Sequence, residues 1–204
     1  MQPATWDGCL GIYRTPDQVC TMIALSGFRT LVTDGKTIWV YHLSENGEQI
    51  AYNEIASGAQ APVQVSFVTA DSPTEELDSQ IVFQSQLSGD LTGSVQRTVL
   101  MADGRIYRER SAPLSNSKPT RKLIKTLSTK EVETFRNQLA QQGFVNLSRM
   151  RYLTQEAFAD YPTIRLQTPS VSVEYIDLAI KQLPPNLQKV IAQWEALSQP
   201  RKNL

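Results

Sequence analysis

Three dipeptides constrain this chain most: Asp34-Gly35, Asn46-Gly47 and Asp103-Gly104. Each couples a residue that tolerates positive φ with a glycine, the combination a two-residue hairpin turn requires. Residues 28–33 and 36–43 around the first turn alternate as strands rich in Val, Ile, Thr and aromatics. A chain built on such turns is committed to antiparallel sheet. A third strand over 48–55 and a fourth in "PVQVSFV" (62–68) complete an antiparallel β-meander, which defines an N-terminal β-rich region over residues 1–72. Alternation puts Ile38, Val40 and His42 on one face and Trp39, Tyr41 and Leu43 on the other.

The stretch "TADSPTEELDSQ" (69–80), with its acid pair Glu75-Glu76, is too polar to sustain a core and reads as a linker. Beyond it, "IVFQSQLSG" and "SVQRTVLMADGRIYRER" predict two strands, the latter containing the Asp103-Gly104 turn. "RTVLMADGRIY" is similar to the earlier "RTLVTDGKTIW", either through duplication or through shared turn chemistry. A helix is predicted near 129–142: Ser128 is its N-cap, Glu131 completes a capping box, Val132, Phe135 and Leu139 share a face, and Gly143 ends it. Strands over 163–168 and 170–177 follow, separated at Pro169. A second helix over 185–198 opens at Pro184-Pro185 and lines up Leu187, Val190, Ile191, Trp194 and Leu197. The expected architecture is α+β, an antiparallel meander followed by a domain over 79–204 in which two amphipathic helices pack on an antiparallel sheet.

The stretch from about 81 to 198, with "QLSGDLTGSVQRTVLMADGRIY", "LSTKEVETFRNQLAQQGFVNL" and "LPPNLQKVIAQWEAL", resembles the emfourin-type family of small bacterial proteins. In that family a Ser-Gly-Gly-like segment precedes an Asp-Gly hairpin, one helix ends at Gly-Phe and a terminal helix opens with Leu-Pro-Pro. The resemblance implies inhibition of a thermolysin-like metallopeptidase. It covers a little over half of the chain, leaves residues 1–80 without a counterpart, and transfers no inhibitory contact.

Charge is divided along the chain. Residues 1–90 hold Arg14, Arg29 and Lys36 as their only basic groups against eleven acidic ones, which leaves seventeen basic and nine acidic residues for the remainder. Two readings follow, a basic surface for an acidic partner or mutual attraction of the halves. Within the basic half, "SNSKPTRKLIKTLS" (115–128) gathers Lys118, Arg121, Lys122 and Lys125, the candidate partner-binding residues on what reads as a solvated connection. Without aromatic residues to stack on bases, that stretch argues against nucleic acid.

Cys9 and Cys20 are eleven apart, a spacing that closes a short loop, and form a disulfide candidate that would pin the N-terminal arm. Such a bond implies an oxidising compartment. No N-terminal signal-peptide pattern and no apolar run of about 20 residues is present, so an extracytoplasmic location rests on a leader removed ahead of residue 1. With one histidine and two cysteines, the chain lacks the four Cys or His ligands of a structural zinc site.

Catalytic motifs are missing as well. There is no Gly-x-Ser-x-Gly elbow, and "GDLTGS" (89–94) lacks the lysine of a phosphate loop and reads as a strand connection. Asp160 and Tyr161, beside Pro162, are read as capping the next strand rather than forming a loop site. His42 is expected as a hydrogen-bonded sheet residue; the competing reading pairs it with a free Cys9 or Cys20 as a nucleophilic dyad. The functional expectation is therefore a non-enzymatic protein-binding module without cofactor, metal or membrane span, acting as an inhibitor or regulator of an extracytoplasmic metallopeptidase. The alternatives are a scaffold component of a larger assembly, and a small-molecule or lipid carrier.

Overall fold

The computed structural model describes residues 1–68, 77–89, 93–112, 118–158 and 161–200. At the first hairpin, Gly35 takes φ 86° and Asp34 Oδ1 accepts hydrogen bonds from the backbone N–H groups of Lys36 (2.9 Å) and Thr37 (2.8 Å). The turn thus satisfies its own donors, and the flanking strands β2 (Leu25–Thr33) and β3 (Thr37–Ser44) pair antiparallel from Gly27↔Ser44 to Thr33↔Ile38. β1 (Gln2–Trp6) adds to one side, β4 (Ile50–Asn53) to the other, and the two-residue β5 (Ala59–Gln60) pairs with the start of β3.

The larger sheet has eight strands. With β6 (Gln64–Phe67), β7 (Ile81–Ser88), β8 (Val95–Met101), β9 (Arg105–Ser111), β10 (Thr120–Thr126), β11 (Met150–Leu153), β12 (Thr163–Gln167) and β13 (Ser172–Tyr175), its order is β10-β9-β8-β7-β12-β13-β11-β6. All neighbours are antiparallel except β11 and β13. The α+β expectation holds, with antiparallel pairing dominant and two helices, α1 (Thr129–Gln141) and α2 (Pro185–Ser198), packed on one side.

The strand expected over 62–68 does not close the meander. As β6 it leaves the small sheet and pairs with β11, because Val65 and Phe67 then lie opposite Tyr152 and Met150 on the core face. The "solvated connection" over 115–128 is also corrected: its residues 120–126 form edge strand β10, paired to β9. A bulge between Leu123 and Lys125 interrupts its two-residue alternation, which hides the strand in the sequence. Residues 69–76 of the expected linker, with Glu75 and Glu76, lie outside the described residues. On either side of it the chain contributes to one core, since Val40, Ala56, Ala59 and Val63 belong to the same cluster as Phe83, Leu166 and Trp194.

At its centre Phe83 meets three rings: Trp194 at 4.9 Å, Phe135 edge-on at 5.2 Å and Phe144 at 5.5 Å between centroids. Burying each large side chain contributes roughly 1.5–3 kcal/mol. The Trp194 indole N–H donates to Ser85 Oγ at 2.8 Å, which keeps the ring's polar atom satisfied inside the core. α1 begins with the expected capping box, Glu131 N donating to Ser128 Oγ and Ser128 N to Glu131 Oε2. It stops where Gly143 turns left-handed at φ 62°, and a short 3-10 turn, Phe144–Leu147, carries the chain to β11.

Candidate functional site

The two sheets present contrasting outer faces. In the small sheet, register places Pro3, Phe28, Leu43 and Ile50 in one cross-strand row, Thr30, Tyr41 and Tyr52 in the next, and Val32 beside Trp39 in a third. The opposite face carries Val40, His42 and Asn53 and is buried against the rest of the protein. Ile50 is 63 % exposed, Val32 47 % and Tyr52 41 %, while Phe28, Trp39, Tyr41 and Leu43 are half-buried. Tyr41 and Tyr52 pack with centroids 5.3 Å apart. Among the described residues no helix or strand covers this face.

The outer face of the large sheet is polar. One residue from each of its eight strands forms a single row: Arg121, Glu109, Arg97, Gln86, Arg165, Glu174, Arg151 and Ser66. Arg165 forks onto Glu174 Oε1 through Nε (2.9 Å) and Nη2 (2.6 Å), and Arg97 Nε donates to Gln86 Oε1 at 2.8 Å. Arg151 Nε lies 2.7 Å from Glu174 Oε2, an ion pair whose angle misses hydrogen-bond geometry. Arg121 pairs with Glu109 at 3.1 Å and stacks 3.9 Å from the Tyr107 ring centroid. The row repeats opposite charges across strands and so ties the sheet together.

Of the basic residues singled out in the sequence, Arg121, Lys122 and Lys125 stand on β10 and Lys118 is exposed just before it. Lysines on an edge strand discourage another chain from pairing there, a role that needs no partner. The ion pairs of Arg121, Arg151 and Arg165 all close within the C-terminal half.

Cys9 and Cys20 are disulfide-bonded, with Cα atoms 5.5 Å apart, and close the arm that follows β1. Asp7 Oδ1 accepts from the N–H groups of Cys9 and Gly11, and Asp7 Oδ2 from Tyr13 Oη at 2.6 Å. Burial alone would raise the Asp7 pKa, but these hydrogen bonds outweigh it and hold the carboxyl below its usual value. The same bond to Asp7, with burial and its charge, pushes Tyr13 up to about 12. Asp7, Cys9 and Cys20 cluster within 4.8 Å, yet the bonded sulfurs offer no thiolate to a metal.

The bonded sulfurs also remove the dyad reading of His42. Its Nδ1 lies 2.6 Å from the Leu10 carbonyl, which can only accept, so Nδ1 carries the proton and Nε2 faces Asn53 Nδ2 at 3.5 Å. Burial, opposed by that carbonyl bond, and the neighbouring Arg29 charge bring His42 down to about 4. Arg29 lies over the Trp6 ring, 5.1 Å from its centroid, and burial plus the charge of Arg149 lowers its pKa to about 10. His42 is thus a neutral structural group that holds the arm on the sheet.

Between arm, small sheet and α1 runs a cleft of about 960 Å³. Its walls are Ile12–Pro16 of the arm, Tyr52–Ile55, the end of α1 with Phe144 and Val145, and the Thr168–Val171 turn. Asn146 fixes the junction: its Oδ1 accepts from Tyr13 N (2.8 Å), its Nδ2 donates to Tyr13 O (2.7 Å), and its carbonyl accepts from Asn53 Nδ2 (2.9 Å). Nothing in the sequence spacing pointed to Asn146, 133 residues from its partner in the arm. Asp160 lies outside the described residues, and Tyr161 donates to Asp177 Oδ1 at 3.1 Å instead of capping the next strand.

This fold and surface define an α+β protein with two sheets, two helices and an uncovered apolar sheet face. No family model, curated protein or solved structure matches the chain.

Proposed function

We propose that the protein is a non-enzymatic protein-binding module and that the outer face of its small sheet is the docking surface. The observation that carries this reading is the run of Phe28, Trp39, Tyr41, Leu43, Ile50 and Tyr52 on one solvent-facing side. Rigid aromatic and aliphatic side chains held in register bind a partner with little loss of conformational freedom, and aromatic residues are enriched where binding energy concentrates. The covered opposite face and the self-paired polar row on the large sheet leave this side as an apolar sheet face open to solvent among the described residues. The arm disulfide supports work in an oxidising, extracytoplasmic compartment.

The partner class we favour is an extracytoplasmic metallopeptidase, on the resemblance of residues 81–198; the module then acts as its inhibitor or regulator. The test is retention of proteins from extracytoplasmic extracts by the wild-type chain and by Val32→Asp/Ile50→Asp, alongside titration of a panel of thermolysin-like peptidases. Inhibition by the wild type that the double variant loses supports both parts. Retention without inhibition keeps the binding module and favours the assembly role. Identical retention by both chains overturns the docking surface.

A carrier role has one observation in its favour, the 960 Å³ cleft, which is at the upper end of the size range of small-molecule sites.

A further inference from the structure

We propose that the cleft beside β4 receives an extended peptide bearing a carboxylate, added to the small sheet as a further strand. The inference rests on the protein-binding reading above and names what a partner would insert.

β4 closes the sheet on that side, because among the described residues it pairs with β3 alone. The bond from Ser44 N to the Gln49 carbonyl (3.0 Å) marks a hydrogen-bonded pair. Pairs alternate along an antiparallel ladder, so His42–Ala51 is hydrogen-bonded while Leu43–Ile50 and Tyr41–Tyr52 are not. The N–H and C=O groups of Ile50 and Tyr52 therefore point away from β3, toward the open edge. Among the described residues neither has a backbone partner there.

The open edge faces the cleft. Tyr52 and Asn53, whose side chains leave β4 on opposite faces, both line it, as a strand seen edge-on does, and Glu54 and Ile55 of the following turn continue the wall. From Ile50 to Asn53 β4 offers a track of about 13 Å, enough to pair a four-residue strand, before the chain turns at Glu54. Across the gap, Ile12, Leu139, Phe144 and Val171 supply apolar walls for alternate side chains of the peptide. Main-chain bonds to an edge with side-chain pockets on either side are the parts of recognition by strand addition.

Charge sets the end group. Arg14 and Arg136 both line the cleft and are exposed. The Arg14 guanidinium has no hydrogen bond or ion pair among the described residues, and Arg136 makes only a 3.5 Å contact with Glu133. Glu54 places one negative charge on the same rim, leaving the cleft net positive. A guanidinium grips a carboxylate through charge-assisted bonds, so the ligand carries a C-terminal or side-chain carboxylate. Tyr52 joins the two surfaces, since it lines the cleft and packs on Tyr41 in the outer face.

The experiment probes the whole chain with random octapeptides displayed with free C-terminal carboxyl groups. Each retained peptide is remade as its C-terminal amide, with acidic side chains changed to their amides, and with alternate backbone nitrogens methylated. Removal of the carboxylates, N-methylation and the Arg14→Glu/Arg136→Glu variant should each weaken binding about tenfold or more. Retained peptides indifferent to all three changes, or no retained peptide, would overturn the proposal. The N-methylated peptides keep the test decisive where a variant folds poorly. Val32→Asp separates the two readings: peptide binding that survives while partner retention is lost upholds both sites, and partner retention that survives removes only the outer face.

Discussion

Trp6 lies flat against His42, ring centroids 4.1 Å apart and planes 11° from parallel. The indole N–H donates to the Leu43 carbonyl at 3.1 Å, and the space it crosses exists because residue 27 is glycine; a Cβ there would collide with the indole and with Leu43 O. One stacked pair thus joins β1, β3 and, through the bond from His42 to Leu10, the disulfide arm.

Acid should loosen this unit. His42 titrates near 6.5 when unfolded and near 4 when folded, so below pH 6.5 the unfolded chain takes up a proton that the native site refuses. Stability is complete above about pH 6.5 and falls until about pH 4, by up to about 3 kcal/mol. Denaturant unfolding across that range should show the fall in the wild type and a flatter profile in His42→Gln. The Asp7 contribution, with its carboxyl held below 3.8, disappears only at lower pH.

Asn146→Ala should detach the arm. It removes both bonds to Tyr13 and leaves that backbone unpaired at a partly buried site, a loss of about 2–4 kcal/mol. Limited proteolysis after Arg14 should accelerate. Asn146→Asp, which keeps an acceptor for Tyr13 N but no donor for Tyr13 O, should fall between the two.

Replacing both Cys9 and Cys20 by Ser opens an eleven-residue separation and should cost about 3 kcal/mol by the chain-entropy account. Chemical unfolding with and without reductant measures it. The large sheet and helices should keep their far-ultraviolet spectrum, because the core around Phe83 lies elsewhere.

Phe83→Ala, in contrast, should cost about 3–5 kcal/mol, since Phe135, Phe144 and Trp194 all lose a neighbour. Near-ultraviolet circular dichroism of Trp194 should weaken with it.

What the sequence revealed and what it hid have physical reasons. Local chemistry was legible: the Asp34-Gly35 turn, the Ser128–Glu131 capping box and the Leu187 to Trp194 stripe each depend on neighbours a few residues apart. The paired cysteines were legible for the same reason. The sequence marks β6 as a strand but not its sheet, because choosing β11 over the meander is decided by Tyr152 and Met150, more than eighty residues away. β1 (QPATW) and β11 (MRYL) carry little of the β-branched pattern that marks a strand, and the bulge in β10 erases its period. Of the candidate site, alternation had already put Trp39, Tyr41 and Leu43 on a common face, but that Phe28 and Ile50 extend it needed the strand register.

The docking surface is tested most directly by the affinity of a purified partner for the wild-type chain and for Val32→Asp/Ile50→Asp, with circular dichroism showing both folded. Both side chains are solvent-facing, so the fold should tolerate the changes. Two charges set into an apolar interface should weaken binding about a hundredfold or more. Equal affinities would contradict the account.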